Sequence, residues 1–236
     1  MSRDRHSTTP KGCVCASRRT IIKQSALFNK HQHSGATWSE HYGWQIPARF
    51  TAPENEAAGV RQSVGLADLS WTPKLDLKGY GLKSSPVIGE GVFSWVLGPV
   101  HWLVTCDPAA QDQVMKRLEE LRTSGSDLSL PPAVYTTDVT SVYSQLLIAG
   151  PCSRQVLSKL TSLNLSESSL PNLSCGQSSL AHVRAIILRK DVEKVPAYHL
   201  LVSRDYGEGV WEAVVHAGDE FNLCPFGLEA QRLLRM

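Results

Sequence analysis

The stretch Asp205-Tyr206-Gly207-Glu208-Gly209-Val210-Trp211-Glu212 combines carboxylates, glycines and aromatic rings just before a predicted helix. A glycine-rich turn exposes backbone N–H groups and can aim a carboxylate into a cleft. A carboxylate suits a pterin or guanine-like ring, because its two oxygens accept from a ring N–H and an exocyclic NH2 group. In this interpretation Glu208 binds the ring, and Tyr206 and Trp211 form an aromatic wall beside it. The alternative is a structural turn, in which an aspartate caps the helix and Glu208 is solvated.

Other motifs with known chemistry are incomplete. Gly79-Tyr80-Gly81 follows a predicted strand, as a dinucleotide-binding fingerprint would, but Ser84 stands in place of the third glycine and no helix is predicted after the loop. Cys13-Val14-Cys15 resembles half of a zinc site, and no second Cys/His pair follows at zinc spacing. His101 and His199 begin predicted strands, where a structural role is expected. The sequence therefore predicts neither a nucleotide site nor a metal site.

The 236-residue chain divides into a basic N-terminus and a slightly acidic remainder. Residues 1–35 contain seven Lys and Arg against one Asp, whereas the rest of the chain contains 17 basic and 21 acidic residues. A nucleic-acid-binding protein carries its basic stripe on the folded face, so nucleic acid is not expected as the main partner. No run of about 18 apolar residues predicts a transmembrane helix, so a membrane is not expected as a partner either.

Residues 1–22 are predicted to form a disordered tail, because they mix Arg, Ser, Thr and His without an apolar period. A basic, nearly acid-free stretch is also typical of a mitochondrial transit peptide, although no amphipathic face is evident. The six cysteines are too sparse for a disulfide scaffold and follow no secretory signal. The expected location is therefore cytoplasmic, or mitochondrial if residues 1–22 are a transit peptide.

Local patterns predict the individual elements. The main ones are the helices Glu54–Val64, Ala109–Arg122 and Pro151–Leu160, and the strands Leu66–Ser70, Lys74–Lys78, Phe93–Leu97, His101–Thr105 and Val183–Leu188. Gly65 is expected to end the first helix as its C′ residue. An Asp-Pro pair is expected to begin the second helix. Residues 123–132, rich in Ser, Gly and Pro, are predicted to form a linker.

Two parts of the chain repeat each other. Asp68-Leu69-Ser70 and a strand ending in glycine are echoed by Asp138-Val139-Thr140 and a second strand ending in glycine. His101–Asp107 plus a helix is echoed, 98 residues later, by His199–Asp205 plus a helix. The copies, at about 66–122 and 136–218, predict an α+β fold of duplicated antiparallel sheet and helix units. The first copy is expected to be the shorter one, and the second is expected to use its extra length on the helix at 151–160 and the strand at 183–188.

Several motifs occur in a fixed order along residues 23–236. They are Tyr42-Gly43-Trp44-Gln45-Ile46-Pro47, Glu56–Arg61, Val64–Ser70, Asp138–Thr140, Gly150-Pro151, Gly207-Glu208 and Gly227–Ala230. As a set they resemble the folate-binding domain of the glycine-cleavage T-protein family, the tetrahydrofolate-dependent aminomethyltransferases. Within that superfamily, Trp95–Val104 resembles the gamma subunit of heterotetrameric sarcosine oxidase. A T-protein continues into a C-terminal barrel domain, which is expected to be absent here.

The resemblance implies tetrahydrofolate as the ligand, with Glu208 as the pterin contact. The turn around Glu208 departs from the family pattern in the position of its second glycine, and Gln231 stands where the family has an arginine. The family's paired aspartates beside the reactive folate nitrogens have no counterpart in Gly89–Ser94, where Glu90 is the only acid. The predicted cofactor contacts are therefore Glu208, the two aromatic residues of its turn, and Gln231, while the catalytic residues remain unassigned.

Three functions follow from these matches and departures. The first is a tetrahydrofolate-binding protein of one-carbon metabolism that acts as a subunit beside an oxidase, a demethylase or a T-protein partner. The second is a working aminomethyltransferase-like enzyme that uses Glu90 or a residue of its partner for proton handling. The third is a non-catalytic interaction module that has lost folate binding.

Overall fold

The computed structural model describes residues 21–79, 89–123, 134–192 and 195–236, without the side chains of residues 121–123. The strands are β1 (Lys23–Gln24), β2 (Thr37–His41), β3 (Trp44–Arg49), β4 (Gly65–Asp68), β5 (Lys74–Gly79), β6 (Val92–Gly98), β7 (His101–Cys106), β8 (Val134–Asp138), β9 (Tyr143–Ala149), β10 (Cys175–Leu180), β11 (Val183–Arg189), β12 (Ala197–Ser203) and β13 (Cys224–Pro225). The helices are α1 (Phe28–His33), α2 (Pro53–Gln62), α3 (Gln111–Thr123), α4 (Ser153–Ser158), α5 (Gly207–Gly218) and α6 (Leu228–Leu233). Residues 1–20 of the predicted tail, residues 80–88 and most of the predicted linker lie outside the described residues.

Two sheets carry the duplication that the repeats predict. Four strands of one sheet follow the order β6-β7-β5-β8, and the larger sheet contains the order β11-β12-β9-β4 within β10-β11-β12-β9-β4-β13. In each set a central strand pairs antiparallel with its two neighbours. Strands β4 and β8 are exchanged, since each joins the sheet of the other copy. The fold is therefore a duplicated α+β unit, as predicted.

The two Asp-x-Ser/Thr motifs stabilise the pairing of β4 and β8 with the sheet of the other copy. In each motif the aspartate Oδ1 accepts from the N–H group two residues later, at 2.9 Å in the first and 2.8 Å in the second. The Ser70 hydroxyl then accepts from the Gln145 N–H group of β9 at 3.1 Å, and the Thr140 hydroxyl accepts from the Lys74 N–H group of β5 at 3.0 Å. Each copy therefore satisfies a backbone group of the other, which fixes their registers together.

Helices cover one face of each sheet. Helix α5 places Val210, Trp211 and Val214 against Leu146 of β9 and Leu200 of β12 in the largest apolar core. Helix α3 packs in the same way on the four-stranded sheet. The other faces of the two sheets approach each other, where side chains of β6, β7, β11 and β12 form a smaller core. This inter-sheet layer borders the candidate site.

Two predicted details differ from the structure. Helix α2 ends at Gln62, and Gly65 is the first residue of β4 rather than a C′ glycine. An added Cβ at Gly65 would lie 2.5 Å from a Val60 methyl carbon and 2.8 Å from the Phe226 ring, so the glycine is required by close packing. Strand β6 occupies in the first copy the place of β11 in the second, so within the described residues the extra strand of the second copy is β10 and not the one at 183–188.

Candidate functional site

Strand alternation separates the apolar core from the candidate site. On β9, Leu146 and Ile148 face helix α5, whereas Gln145 and Leu147 face the other side and line a cavity. On β12, Leu200 faces the helix side while its neighbour His199 lines the same cavity. Because successive side chains of a strand point to opposite faces, one apolar run supplies both the core and the site.

The cavity lies between the two sheets and has a volume of about 380 Å³. This volume lies within the range of small-molecule sites, which combine apolar and aromatic walls with a few polar groups. Four aromatic side chains line it: Tyr42, Trp71, Phe93 and Trp95. Polar groups are supplied by Thr72, Thr105, Asp107, Gln145, Lys190, His199, Gln231 and Arg232. The cavity can therefore hold a flat, partly polar ligand.

A chain of side-chain hydrogen bonds holds His199 in the cavity wall. The Gln145 Nε2 atom lies 3.0 Å from His199 Nδ1, and the Thr72 hydroxyl lies 3.2 Å from Gln145 Oε1. Burial, with the positive charges of Lys190 and Lys74, lowers the pKa of His199 to about 3. The imidazole is therefore neutral at physiological pH and does not act as a cation toward a ligand.

Two positively charged groups and one carboxylate complete the lining. The Lys190 Nζ atom lies 4.1 Å from the centre of the Phe93 ring. Burial lowers the pKa of Lys190, and the charge of Asp107 opposes this shift. Asp107 also begins the helical turn before α3, where one of its oxygens accepts from the Ala109 N–H group at 2.9 Å. Arg232, which is exposed, adds the second positive charge.

The structure separates the four sequence-predicted contacts. Gln231 lies in α6, is 7 % exposed and lines the cavity. Glu208 is exposed in the first turn of α5, on the opposite side of the larger sheet. Tyr206 is 55 % exposed, while Trp211 is 4 % exposed and belongs to the core under α5. The cavity that Gln231 lines does not include the three residues of the turn, whose role in binding stays a prediction.

Sequence reasoning missed the cavity residues that carry most of its chemistry. His199 was predicted to be a structural residue at the start of a strand, and it lies within β12 instead. Gln145 and Lys190 were not singled out, and Asp107 was interpreted only as a helix cap. A polar residue in an otherwise apolar strand, as in Ser144-Gln145-Leu146-Leu147, was the available signal, because a buried polar side chain requires a partner.

A second buried histidine lies on the helix-covered face of the same sheet. His31 Nε2 is 3.1 Å from Asp68 Oδ2, and both side chains are almost completely buried. The His31 ring packs edge-on against Trp211, at 4.7 Å between centroids. Burial alone would raise the pKa of Asp68, but the hydrogen bond and charge of His31, with hydroxyls of Ser25 and Ser70, hold it below its usual value. This pair fixes α1 to the end of β4.

The described residues also bear on two other features, membrane-spanning helices and metal sites. No helix in that part of the chain is long and apolar enough to cross a membrane. Across residues 21–79, 89–123, 134–192 and 195–236, no three or more His, Cys, Asp or Glu side chains are grouped as metal ligands would be.

Comparisons with known proteins agree with this fold. The aminomethyltransferase of Halothermothrix orenii is 27% identical over 233 residues, which cover 91% of this chain and 65% of that protein. The aminomethyltransferase of Acidobacterium capsulatum is 26% identical over 243 residues, which cover 91% of this chain and 62% of that protein. The chain therefore spans less than two thirds of the length of these relatives.

Two solved structures have the same fold. The glycine cleavage system aminomethyltransferase T from Bartonella henselae superposes with a TM-score of 0.70 at 15% identity, over 91% of this chain and 62% of that one. A chain of the heterotetrameric sarcosine oxidase from Corynebacterium sp. U-96, solved in complex with pyrrole 2-carboxylate, gives a TM-score of 0.54 at 19% identity, over 72% of this chain and 92% of that one.

The model of one protein family matches the greater part of the sequence. Its match extends over residues 82–236, which include every element from β6 to α6 and the cavity-lining residues Gln145, His199 and Gln231. The chain belongs to the family described as the GCVT N-terminal domain.

Proposed function

We propose that this chain binds a tetrahydrofolate-type ligand in the inter-sheet cavity and acts in one-carbon metabolism beside a partner subunit. The observation that carries the proposal is the cavity itself, with aromatic walls and a few fixed polar groups. Family membership and the names of the relatives, which are aminomethyltransferases, support the choice of ligand. When bound, tetrahydrofolate supplies the nitrogen atoms that accept a one-carbon group.

The described residues fit the ring of such a ligand. A pterin is flat and carries N–H and NH2 donors beside a ring carbonyl. Trp71 and Phe93 offer aromatic surface in the cavity, and the amide groups of Gln145 and Gln231 offer both donors and acceptors. Gln231 is nearly buried and lines the cavity, so its amide can pair with a polar ring there.

The charges of the cavity fit the other end of the ligand. Folates end in glutamyl carboxylates, and Lys190 and Arg232 line the same cavity. Arg232 is exposed and lies 3.3 Å from the ring of His41, which also lines the cavity. An anionic tail that leaves the cavity toward Arg232 would gain a charge-assisted hydrogen bond, and the guanidinium would remain partly in water.

Isothermal titration calorimetry with 5-formyltetrahydrofolate tests the proposal against the predicted Glu208 site. A cavity site predicts that Gln231→Leu weakens binding by about tenfold, since one hydrogen bond to a polar ligand is lost, and that Glu208→Gln binds within twofold of the unmodified chain. A site at the α5 turn predicts the reverse, with Glu208→Gln weaker by roughly 10- to 150-fold. No binding at millimolar ligand would overturn the proposal and favour the interaction module.

The proposed role beside a partner subunit rests on the absence of the family's paired aspartates from Gly89–Ser94. Within Gly89–Ser94 the only carboxylate is Glu90, which lines a separate depression between β6 and α3 and not the cavity. The likeness to one chain of a heterotetrameric sarcosine oxidase, 92% of which is covered, supports a subunit role. We therefore expect the isolated chain to show no measurable aminomethyl or methylene transfer.

A second function, autonomous transfer, is favoured by one observation. Asp107 places a carboxylate in the cavity wall, with one oxygen used by the Ala109 N–H group. A carboxylate at that position can stabilise developing positive charge on a bound one-carbon group. Measurable turnover by the purified chain that Asp107→Asn abolishes, while Glu90→Gln retains it, would establish this function in place of the subunit role.

A further inference from the structure

The amide of Gln145 determines which nitrogen of His199 carries the proton. A neutral imidazole has one donor and one acceptor nitrogen, and an amide NH2 group only donates. Because Gln145 Nε2 lies 3.0 Å from His199 Nδ1, that nitrogen is the acceptor and the proton lies on Nε2. The Thr72 hydroxyl lies 2.9 Å from the Leu69 carbonyl oxygen and 3.2 Å from Gln145 Oε1, so these two acceptors share its one hydrogen, and the NH2 group of the amide faces the ring.

The Nε2–H group is left for a molecule in the cavity. Within the described part of the chain, the hydrogen bond to Gln145 is the only one that the side chain of His199 makes. The side chain keeps some accessible surface although it lies deep between the sheets, and the cavity is what gives it that surface. Lys74 and Lys190 are the charged groups that act on the ring, and both disfavour its protonation. His199 is therefore a neutral donor with an unused hydrogen.

Resting on the proposed function, we infer that His199 determines ring specificity: its Nε2–H group donates to the ring carbonyl oxygen of the bound pterin and disfavours a ring with an amino group at that position. A carbonyl oxygen accepts this hydrogen bond. An amino group at the same position is itself a donor and cannot accept from the Nε2–H group. The mismatch leaves a buried donor unsatisfied, which is costly.

Folic acid and aminopterin form the matched pair of probes, since the 4-oxo group of the first is a 4-amino group in the second. We expect the unmodified chain to bind folic acid about tenfold more tightly than aminopterin in calorimetry. His199→Phe keeps a planar ring and removes the donor, so the two probes should bind within about twofold of each other. Equal binding of both probes by the unmodified chain would overturn the inference and leave the folate proposal intact. Binding of neither would overturn both.

A control histidine exists at the corresponding place in the first copy. His101 is paired with Asp76 and does not line the cavity. His101→Phe should therefore retain the full preference for folic acid. Loss of the preference in both variants would show that either substitution disturbs the fold, and melting temperatures of both proteins identify that case.

Nitrogen NMR of the unmodified chain tests the same inference without any ligand or variant. The two-bond ¹H–¹⁵N correlation spectrum distinguishes the protonated from the unprotonated ring nitrogen. We expect His199 to show a protonated Nε2 and an unprotonated Nδ1 from pH 5 to pH 8. A protonated Nδ1 would mean that the Gln145 amide accepts from the ring, and the inference would be wrong.

Discussion

The two faces of the six-stranded sheet each carry a histidine, and the two histidines differ in hydrogen-bond partner and in exposure. On the helix-covered face His31 is paired with the Asp68 carboxylate, and both side chains are excluded from water. On the cavity face His199 is held by the neutral Gln145 amide and keeps an accessible nitrogen. The first arrangement fixes α1 to the sheet, whereas the second presents a donor to a molecule in the cavity.

The difference shows how one sheet separates stability from recognition. Removing Asp68 leaves His31 Nε2 and the Ser70 N–H and hydroxyl groups buried without their acceptor, so the helix-covered face is sensitive to substitution. The loss of one neutral hydrogen bond beside a cavity costs less free energy of unfolding than the loss of several hydrogen bonds inside a core. Stability and ligand binding should therefore respond to different residues on the two faces.

The largest expected effect is on the helix-covered face. Asp68→Ala removes the partner of His31 and the oxygen that accepts from the Ser70 N–H and hydroxyl groups. We expect the free energy of unfolding, measured by urea denaturation at pH 7, to fall by about 3–5 kcal/mol. His199→Phe on the cavity face leaves the Gln145 NH2 group without its acceptor and should lower it by about 1–2 kcal/mol. Similar losses for the two variants would remove the proposed division between the faces.

A smaller effect is expected from pH. Since the pKa of His199 is lowered to about 3, the unfolded chain binds more protons than the folded one between about pH 6.5 and pH 3. Stability should therefore fall as pH falls through this window, by up to about 2 kcal/mol from pH 7 to pH 5. Burial lowers the pKa of Lys74 to about 7, which adds a smaller loss of the same sign near pH 7, whereas the lowered pKa of Asp68 acts only below the ordinary range of Asp.

His199→Phe should flatten this pH dependence, and His101→Phe serves as the comparison. Urea denaturation of the three proteins at pH 7 and pH 5 measures the difference. An unchanged slope in His199→Phe would contradict the assignment of the slope to the cavity histidine.

The smallest effect is expected at the two hydrogen bonds that join the copies. Ser70→Ala and Thr140→Ala each remove one hydroxyl that accepts from a backbone N–H group of the other copy. Each substitution should lower the free energy of unfolding by about 1 kcal/mol, the net contribution of one such hydrogen bond. A decrease in the free energy of unfolding for only one of the two variants would show that the two hydrogen bonds between the copies do not contribute equally.

The duplication was predictable because short motifs recur at fixed offsets, and the offset from His101 to His199 selected equivalent strands β7 and β12. The exchange of β4 and β8 between the two sheets was not predictable. The apolar pattern of a strand does not specify whether the strand beside it comes from the same copy or from the other one. Gly65 was assigned to a helix end because its conflict with Val60 and Phe226 depends on packing between distant segments.

The candidate site was harder to predict than the fold. The stretch at 205–212 contains a turn pattern that fits ligand binding, but Val210, Trp211 and Val214 also form an apolar stripe at helical spacing, and that stripe packs on the sheet. Gln231 was found through the family resemblance and lines the cavity. His199 lies in an apolar strand in which alternation cannot distinguish a face that meets a helix from a face that meets a cavity.

The location of the ligand is the central claim, and filling the cavity tests it most directly. Leu228 lines the cavity and is only partly buried, so Leu228→Trp should occupy part of the 380 Å³ without disturbing a core. Leu173→Trp, at a residue that is 58 % exposed and outside the cavity, is the matched control. In calorimetry with 5-formyltetrahydrofolate, with melting temperatures to verify folding, we predict that Leu228→Trp weakens binding by at least about tenfold and Leu173→Trp binds as the unmodified chain does. Unchanged binding by a folded Leu228→Trp protein would contradict the account.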